Sequence, residues 1–273
     1  MCYYHGQRVT RAEFIQLKQL EKAVKKYDFI HPGVISGFSD VPVAVLKPNE
    51  EKNDFEIVPM EWGLLPGFVR NREQVATFRN GYKDSKGIWH KGYTTLNAKA
   101  ENLFISESGK ESMFADAVRN RRCLVLSTGI FEWRHIYRNH KKTGLPLKTP
   151  DKYPYFIHIK DKEYFFMLGF WQGWTDKDTG EYVETLAIPT TQANHLMMQV
   201  HNSKERMPSI PNDDIAWEWM MEDLTDERIM QIAKMQYPAE LMEACTINKE
   251  FQASLNPAEP FEYADVPALE LAL

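Results

Sequence analysis

An α+β domain with a β-rich, barrel-like core of mixed or antiparallel strands is the fold class this sequence predicts, and three observations carry that expectation. Short runs rich in Val, Ile, Phe and Tyr recur along most of the chain, separated by Pro, Gly and Asn-Asp turn signals. Helical periodicity appears near the start, briefly in the middle and after residue 213, without the regular alternation of strand and helix that builds a doubly wound sheet. The 273 residues, 43% hydrophobic and 12% aromatic, suffice for a large buried core.

Residues 10–26 open with Thr10 and Glu13 at capping-box spacing and continue with Phe14, Leu17, Leu20 and Val24, which predicts one amphipathic helix. Residues 34–58, broken by Pro42, Pro48 and Asn53-Asp54, predict short strands and turns. A helix is expected over 111–120 and a buried strand over 122–127. Residues 153–159 and 163–171 predict two strands joined as a hairpin through Lys160-Asp161-Lys162. A third strand is expected over 182–188 and a helix over 192–200. Helices are then expected over 214–221, 226–235 and 239–244, before irregular chain carrying Pro257, Pro260 and Pro267. The expected division is one domain over 1–212, flanked by helices, with 213–273 as an acidic helical extension packed on it.

Charge is uneven along the chain. The formal charge is −5, yet from residue 213 onward 14 acidic residues face three basic ones, so residues 1–212 carry +6 and the remainder −11. Residues 70–99 hold seven basic side chains against two acidic, and residues 119–142 hold seven against Glu132 alone. Phe68, Phe78, Tyr82, Trp89, Tyr93, Phe131, Trp133 and Tyr137 are interleaved with them. Basic groups that track phosphates beside rings that stack on bases suit single-stranded nucleic acid; a solvated face over core aromatics has the same pattern. The three cysteines, Cys2, Cys123 and Cys245, are too few and scattered for a disulfide framework, and no His or Cys spacing suits a metal. No metal or other cofactor is expected. Apolar runs fall far short of the roughly 20 residues of a membrane span, so a monomeric cytoplasmic protein without membrane contact is the expectation.

Cys2 directly after Met1 is the most unusual feature. Loss of Met1 would leave an amine and a thiol on adjacent carbons. The amine titrates near neutrality and the thiolate is a strong nucleophile. With an aldehyde such a pair forms an imine and then closes a five-membered thiazolidine, helped by proximity. A frayed chain end is the plain alternative. Glu132 sits in Gly129-Ile130-Phe131-Glu132-Trp133, where shielding by the aromatics would raise its pKa and suit it to donate and accept protons. The same position fits an exposed site on an alternating strand. His201 opens a polar loop suited to presenting an imidazole, and Asn97 offers a fixed amide or a simple turn.

In this order these pieces resemble the SOS-response-associated peptidase family of abasic-site processing proteins. The likeness runs through Met1-Cys2, Trp62-Gly63-Leu64-Leu65-Pro66, Asn97-Ala98-Lys99-Ala100-Glu101, Arg121-Arg122-Cys123-Leu124, Gly129-Ile130-Phe131-Glu132-Trp133, Thr190-Thr191-Gln192-Ala193-Asn194, and His201 with Arg206-Met207-Pro208. It implies a DNA-damage protein that exposes Cys2 by self-processing and links covalently to abasic sites in single-stranded DNA, with lyase and peptidase chemistry. Cys2 would be the nucleophile, Asn97 a hydrogen-bonding anchor, Glu132 the proton shuttle for ring opening, and His201 the base acting on the sugar hydroxyl. Tyr4, Trp62, Phe68, Lys99, Arg121, Arg122, Trp133 and Arg206 would contact DNA.

Four departures stand out. Tyr3 and Tyr4 replace the usual Gly-Arg, removing one phosphate contact; Lys99 replaces an Arg; Phe68 replaces a second Trp; and the loop between His201 and Arg206 is longer than the family's short form. Two other readings remain open: an N-terminal cysteine hydrolase of peptides or amides, and a single-stranded DNA-binding module without chemistry.

Overall fold

The computed structural model describes residues 4–7, 33–39, 41–140, 142–145 and 147–270. Cys2 and the helix expected over 10–26 lie outside them. The described chain runs β1 (Tyr4–Gln7), β2 (Gly33–Ser36), β3 (Val43–Pro48), β4 (Phe55–Trp62), α1 (Arg72–Asn80), β5 (Tyr82–Lys83), β6 (Trp89–His90) and β7 (Asn97–Lys99). It continues with α2 (Ala115–Asn120), β8 (Arg122–Ser127), β9 (Gly129–Ile136), β10 (Asp151–Ile159), β11 (Phe165–Thr175) and β12 (Tyr182–Gln192). Last come α3 (His195–Val200), β13 (Arg206–Pro208), α4 (Asp213–Met221), α5 (Asp226–Ala233) and β14 (Met242–Thr246).

The expected α+β class with a barrel-like core is what forms. Strands pair in the order β11-β8-β3-β4-β12, and β12 pairs back onto β11, closing a five-stranded barrel. Its ladders are antiparallel except β12 with β4. A second sheet, in the order β14-β10-β9-β1-β2, packs against it. The two-residue alternation of a strand explains how one barrel serves two cores. Val43, Val45, Cys123, Val125 and Met167 turn to a core shared with Ile35, Ile130 and Tyr155 of the second sheet and Leu196 and Val200 of α3. Their neighbours Ala44, Leu46, Leu124, Leu126, Phe166 and Leu168 turn to the opposite core, shared with α2, α4 and α5. Covered on both faces, β8 reads as an unbroken apolar run in sequence.

The acidic segment is part of this construction. Trp219 of α4 is fully buried, and its indole N–H donates to the carbonyls of Gly169 (3.0 Å) and Cys123 (3.2 Å) in adjacent barrel strands. Thr225 caps α5, and β14 forms the edge of the second sheet beside β10.

Three expectations are corrected. Residues 160–162 do turn, with Asp161 at φ 56°, but β10 and β11 do not pair: they belong to different sheets, and the Lys160 N–H donates to Leu241 (2.9 Å). The segment expected as helix over 239–244 is one 3-10 turn, Ala239–Leu241, followed by β14, because the free edge of β10 recruits it through Phe156↔Cys245 and its neighbours. The helix expected over 111–120 is only Ala115–Asn120.

Candidate active site

Glu132 lies in the first half of β9, where Gly129 through Glu132 are all buried. On one side β9 pairs with β10, setting Glu132 opposite Tyr155; on the other it pairs with β1 through His5↔Ile130. Phe131 points into an aromatic cluster, stacked 4.9 Å from Phe251, while Ile130 enters the core shared with α3. Gly129 is required at the strand's start, since a Cβ there would meet the Phe156 ring at 2.0 Å. Both faces are covered, so Glu132 is not an exposed position of an alternating strand. It is 6% exposed, and burial pushes its pKa up to about 8, outweighing the hydrogen bond from the Trp133 main-chain N–H.

His201 ends α3, a short helix capped by the Asn194 side chain, which accepts from the Met197 N–H (2.9 Å) and donates to the Tyr237 carbonyl (2.6 Å). The longer loop closes into a tight turn with Glu205 at φ 52°, and the Lys204 and Glu205 N–H groups donate to the His201 carbonyl. That turn brings the Arg206 carbonyl 2.7 Å from His201 Nδ1. A carbonyl only accepts, so Nδ1 carries the proton and the lone pair falls on Nε2. Asn202 clamps the loop to β9, bonding both the N–H (2.9 Å) and the carbonyl (2.8 Å) of His135. His201 is 5% exposed, and burial lowers its pKa to about 4.

Glu132 Oε1 and His201 Nδ1 stand 3.9 Å apart. With the acid shifted up and the base shifted down, near neutrality both are uncharged and the contact is not an ion pair. Two neutral groups, one able to give a proton and one to take it, are what general acid-base catalysis needs. They open onto a cleft of about 380 Å³ lined also by Trp133, His135, Lys152, Ser203 and Lys204. The lysines make the cleft cationic. The sequence expectation omitted these last four residues: Lys152 reaches the cleft because it pairs with His135 across β10 and β9, a register invisible until the strand partners are known.

Asn97 opens β7, is buried and pairs with Ile188 of β12 rather than lining this cleft. The intervening structure is continuous: the Trp62 indole donates to the Leu96 carbonyl (2.8 Å), and His5 packs edge-on to Trp62 at 5.4 Å beside Ile130.

The residues expected to contact DNA divide. Trp133 lines the cleft, and Phe68 stands 66% exposed against Phe78. Tyr4 packs edge-on to Phe251 at 6.2 Å. Trp62 is only 4% exposed and belongs to the core. Arg122 is also buried: it donates to the carbonyls of Trp219 (2.7 Å), Val118 (3.2 Å), Arg119 and Glu222, tying the ends of α2 and α4 to the barrel. Arg206 holds both Glu101 oxygens (2.6 and 2.9 Å), Arg121 pairs with Asp116, and Lys99 pairs with Glu107. Among the described residues no cluster of His, Cys, Asp and Glu has the makings of a metal site, and no helix is long and apolar enough to cross a membrane.

A barrel-centred α+β domain thus sets a buried carboxyl and a buried imidazole beside a lysine-lined cleft, with its first described strand paired to the strand that bears the carboxyl. The chain belongs to the SOS response associated peptidase (SRAP) family, whose profile it matches over residues 10–254. It is 27% identical over 189 residues to the abasic site processing protein YoqW of Bacillus subtilis, covering 69% of this chain and 68% of that one. It is 22% identical over 214 residues to the abasic site processing protein HMCES of Gallus gallus, covering 71% of this chain and 53% of that one. A crystal structure of a Bacteroides thetaiotaomicron protein superposes with a TM-score of 0.72 at 27% identity, covering 95% of this chain and 97% of that one.

Proposed function

We propose that this protein processes abasic sites in single-stranded DNA by linking them covalently to Cys2 after loss of Met1. The observation that carries the reading is the neutral Glu132 carboxyl, held at a pKa of about 8 in a cationic cleft 3.9 Å from a neutral His201. An abasic deoxyribose rests mostly as a closed hemiacetal, and its opening needs a proton delivered to the ring oxygen; a carboxyl still protonated near neutrality supplies one. The Cys2 amine then adds to the freed C1′ aldehyde, water departs to leave an imine, and the thiolate adds to the imine carbon as the nitrogen takes up a proton, closing the thiazolidine. Sulfur and nitrogen are both retained, so no leaving group beyond one water is required.

Direction along the sheet supports the site. In the antiparallel pair, moving from His5 to Tyr4 on β1 follows Ile130 to Phe131 on β9, toward Glu132. Chain connectivity keeps the Cys2 Cα within about 7 Å of the Tyr4 Cα. His201, with its lone pair on Nε2, is the base for the sugar hydroxyl and for strand-cleaving elimination, and the same pair serves removal of Met1. Intact mass of the purified chain tests the first step: Met1 is absent from wild type and is lost more slowly when Glu132→Gln disables the acid. A Glu132→Gln protein that both loses Met1 and crosslinks at the wild-type rate removes Glu132 from the reading.

A further inference from the structure

The hairpin β5–β6 stands out from the rest of the fold, because an isolated two-stranded hairpin is marginal by itself and yet this one is held firmly. At its neck Gly81 and Gly92 pack back to back: a Cβ on Gly81 would meet the His90 carbonyl oxygen at 2.3 Å, and one on Gly92 the Arg79 carbonyl oxygen at 2.3 Å. At its turn the Asp84 carboxylate accepts the N–H groups of Lys86 and Ile88, both at 2.9 Å, and its other oxygen meets His90 Nε2 at 3.0 Å. So braced, the hairpin displays rings to solvent. Tyr82 stacks on His90 with centroids 4.7 Å apart, while Trp89, paired with Lys83 and so on the hairpin's other face, is 57% exposed. Beside it Tyr93, 61% exposed, stacks on Phe78, which Phe68 meets edge-on.

Exposed aromatic groups of this extent mark a binding surface, and charge identifies the occupant. Lys83, Lys86 and Lys91 are exposed and pair with no carboxylate among the described residues, whereas the hairpin's own Asp84 is engaged internally and Glu73 is the acidic side chain lining the groove. That groove, about 420 Å³, contains Phe68, Phe78, Tyr82, Lys91 and Tyr93. Through Tyr93 it continues into a second, of about 370 Å³, that runs past Arg79 and Leu96 to Gly37 and Phe38. Gly37 follows β2, whose Ser36 pairs with Tyr4 of the N-terminal strand. The path therefore leads from the hairpin to the strand that begins two residues after Cys2.

We infer that the β5–β6 hairpin, with Tyr93 and Phe68, is a stacking platform for unpaired bases that flank the abasic site, its lysines lying against the phosphates. The inference rests on the DNA reading above and adds a second contact region outside the Glu132 cleft. Flat rings provide affinity without base identity, so the platform tolerates any sequence.

Fluorescence anisotropy of a labelled, undamaged oligothymidine of about 12 nucleotides tests it on the full chain. The Tyr82→Ala/Tyr93→Ala double variant is expected to bind about 10- to 100-fold more weakly while its melting temperature stays that of wild type, and Tyr82→Phe to keep most of the Tyr82 contribution. Double-variant affinity within about twofold of wild type overturns the platform. A shared loss in Tyr82→Ala and Tyr82→Phe likewise overturns it, since stacking requires only a ring. Crosslinking to 2-deoxyribose 5-phosphate, which carries no base to stack, separates this failure from that of the chemistry: wild type and double variant are expected to react equally. If wild type forms no adduct yet binds oligothymidine through the hairpin, the covalent reading falls and the platform stands.

Discussion

Glu132 and His201 have opposite pKa shifts from one cause. Burial disfavours whichever form is charged, so a carboxyl rises and an imidazole falls, and the two meet as neutral partners across the physiological range. Catalysis by the protonated Glu132 is therefore expected to decline as pH rises through about 8, while Glu132→Gln lowers the crosslinking rate by about 10²- to 10⁴-fold; a pH-rate profile of the two proteins checks both. Stability carries the same signature with a definite sign. For Glu132 the folded pKa lies above the unfolded one, so its contribution is most favourable at low pH and is lost as pH rises through about 8. Glu132→Gln should raise the melting temperature in mildly alkaline buffer by on the order of 5 °C and change it little near pH 5. For His201 the folded pKa lies below the unfolded one, so stability falls with pH between the unfolded value and about 4. His201→Gln should flatten that acid limb in thermal melts. The rise at Glu132 was legible from its flanking aromatics; that its neighbour would be a buried His201 was not, because only the fold sets β9 against the end of α3.

Among the elements, legibility followed how local the determining physics was. Residues 122–127 were readable as a buried strand because an apolar run covered on both faces needs no knowledge of partners, and β8 has those bounds. The false hairpin at 160–162 failed where partners decide: the turn chemistry was right, but β10 and β11 each found better edges in different sheets. Arg122 shows the same limit at a functional position. Beside Arg121 it resembled a phosphate contact, yet it is buried and donates to four main-chain carbonyls near the ends of α2 and α4. Arg122→Ala should therefore cost about 2 to 4 kcal/mol in chemical denaturation, by orphaning those carbonyls, and leave the DNA affinity of the folded protein within about twofold. A loss of affinity without loss of stability would return Arg122 to the DNA surface. The His201 motif was legible as residues but not as geometry, because only the turn at Glu205 sets Nδ1 against the Arg206 carbonyl.

In the whole molecule, charge segregated in sequence is not segregated in space. The acidic C-terminal segment folds back on the second basic stretch: Arg119 pairs with Asp226 (2.7 Å), Arg138 with Asp265 (2.6 Å), and Arg134 donates to the Pro267 carbonyl (2.6 Å). Those arginines are engaged within the protein, whereas among the described residues the hairpin lysines Lys83, Lys86 and Lys91 and the cleft lysines Lys152 and Lys204 make no ion pair. DNA binding should consequently depend on salt through only a few phosphate contacts, with a slope of log affinity against log salt between about −1.5 and −3.5. A titration giving a slope near about −7 would mean that the paired arginines open toward DNA. The account's central claim is the covalent bond at Cys2, and a denaturing gel of the purified full chain with abasic single-stranded DNA tests it most directly. Wild type should give a heat-stable, SDS-resistant adduct that Cys2→Ala does not form. No adduct from wild type, or an equally heat-stable one from Cys2→Ala, would contradict it.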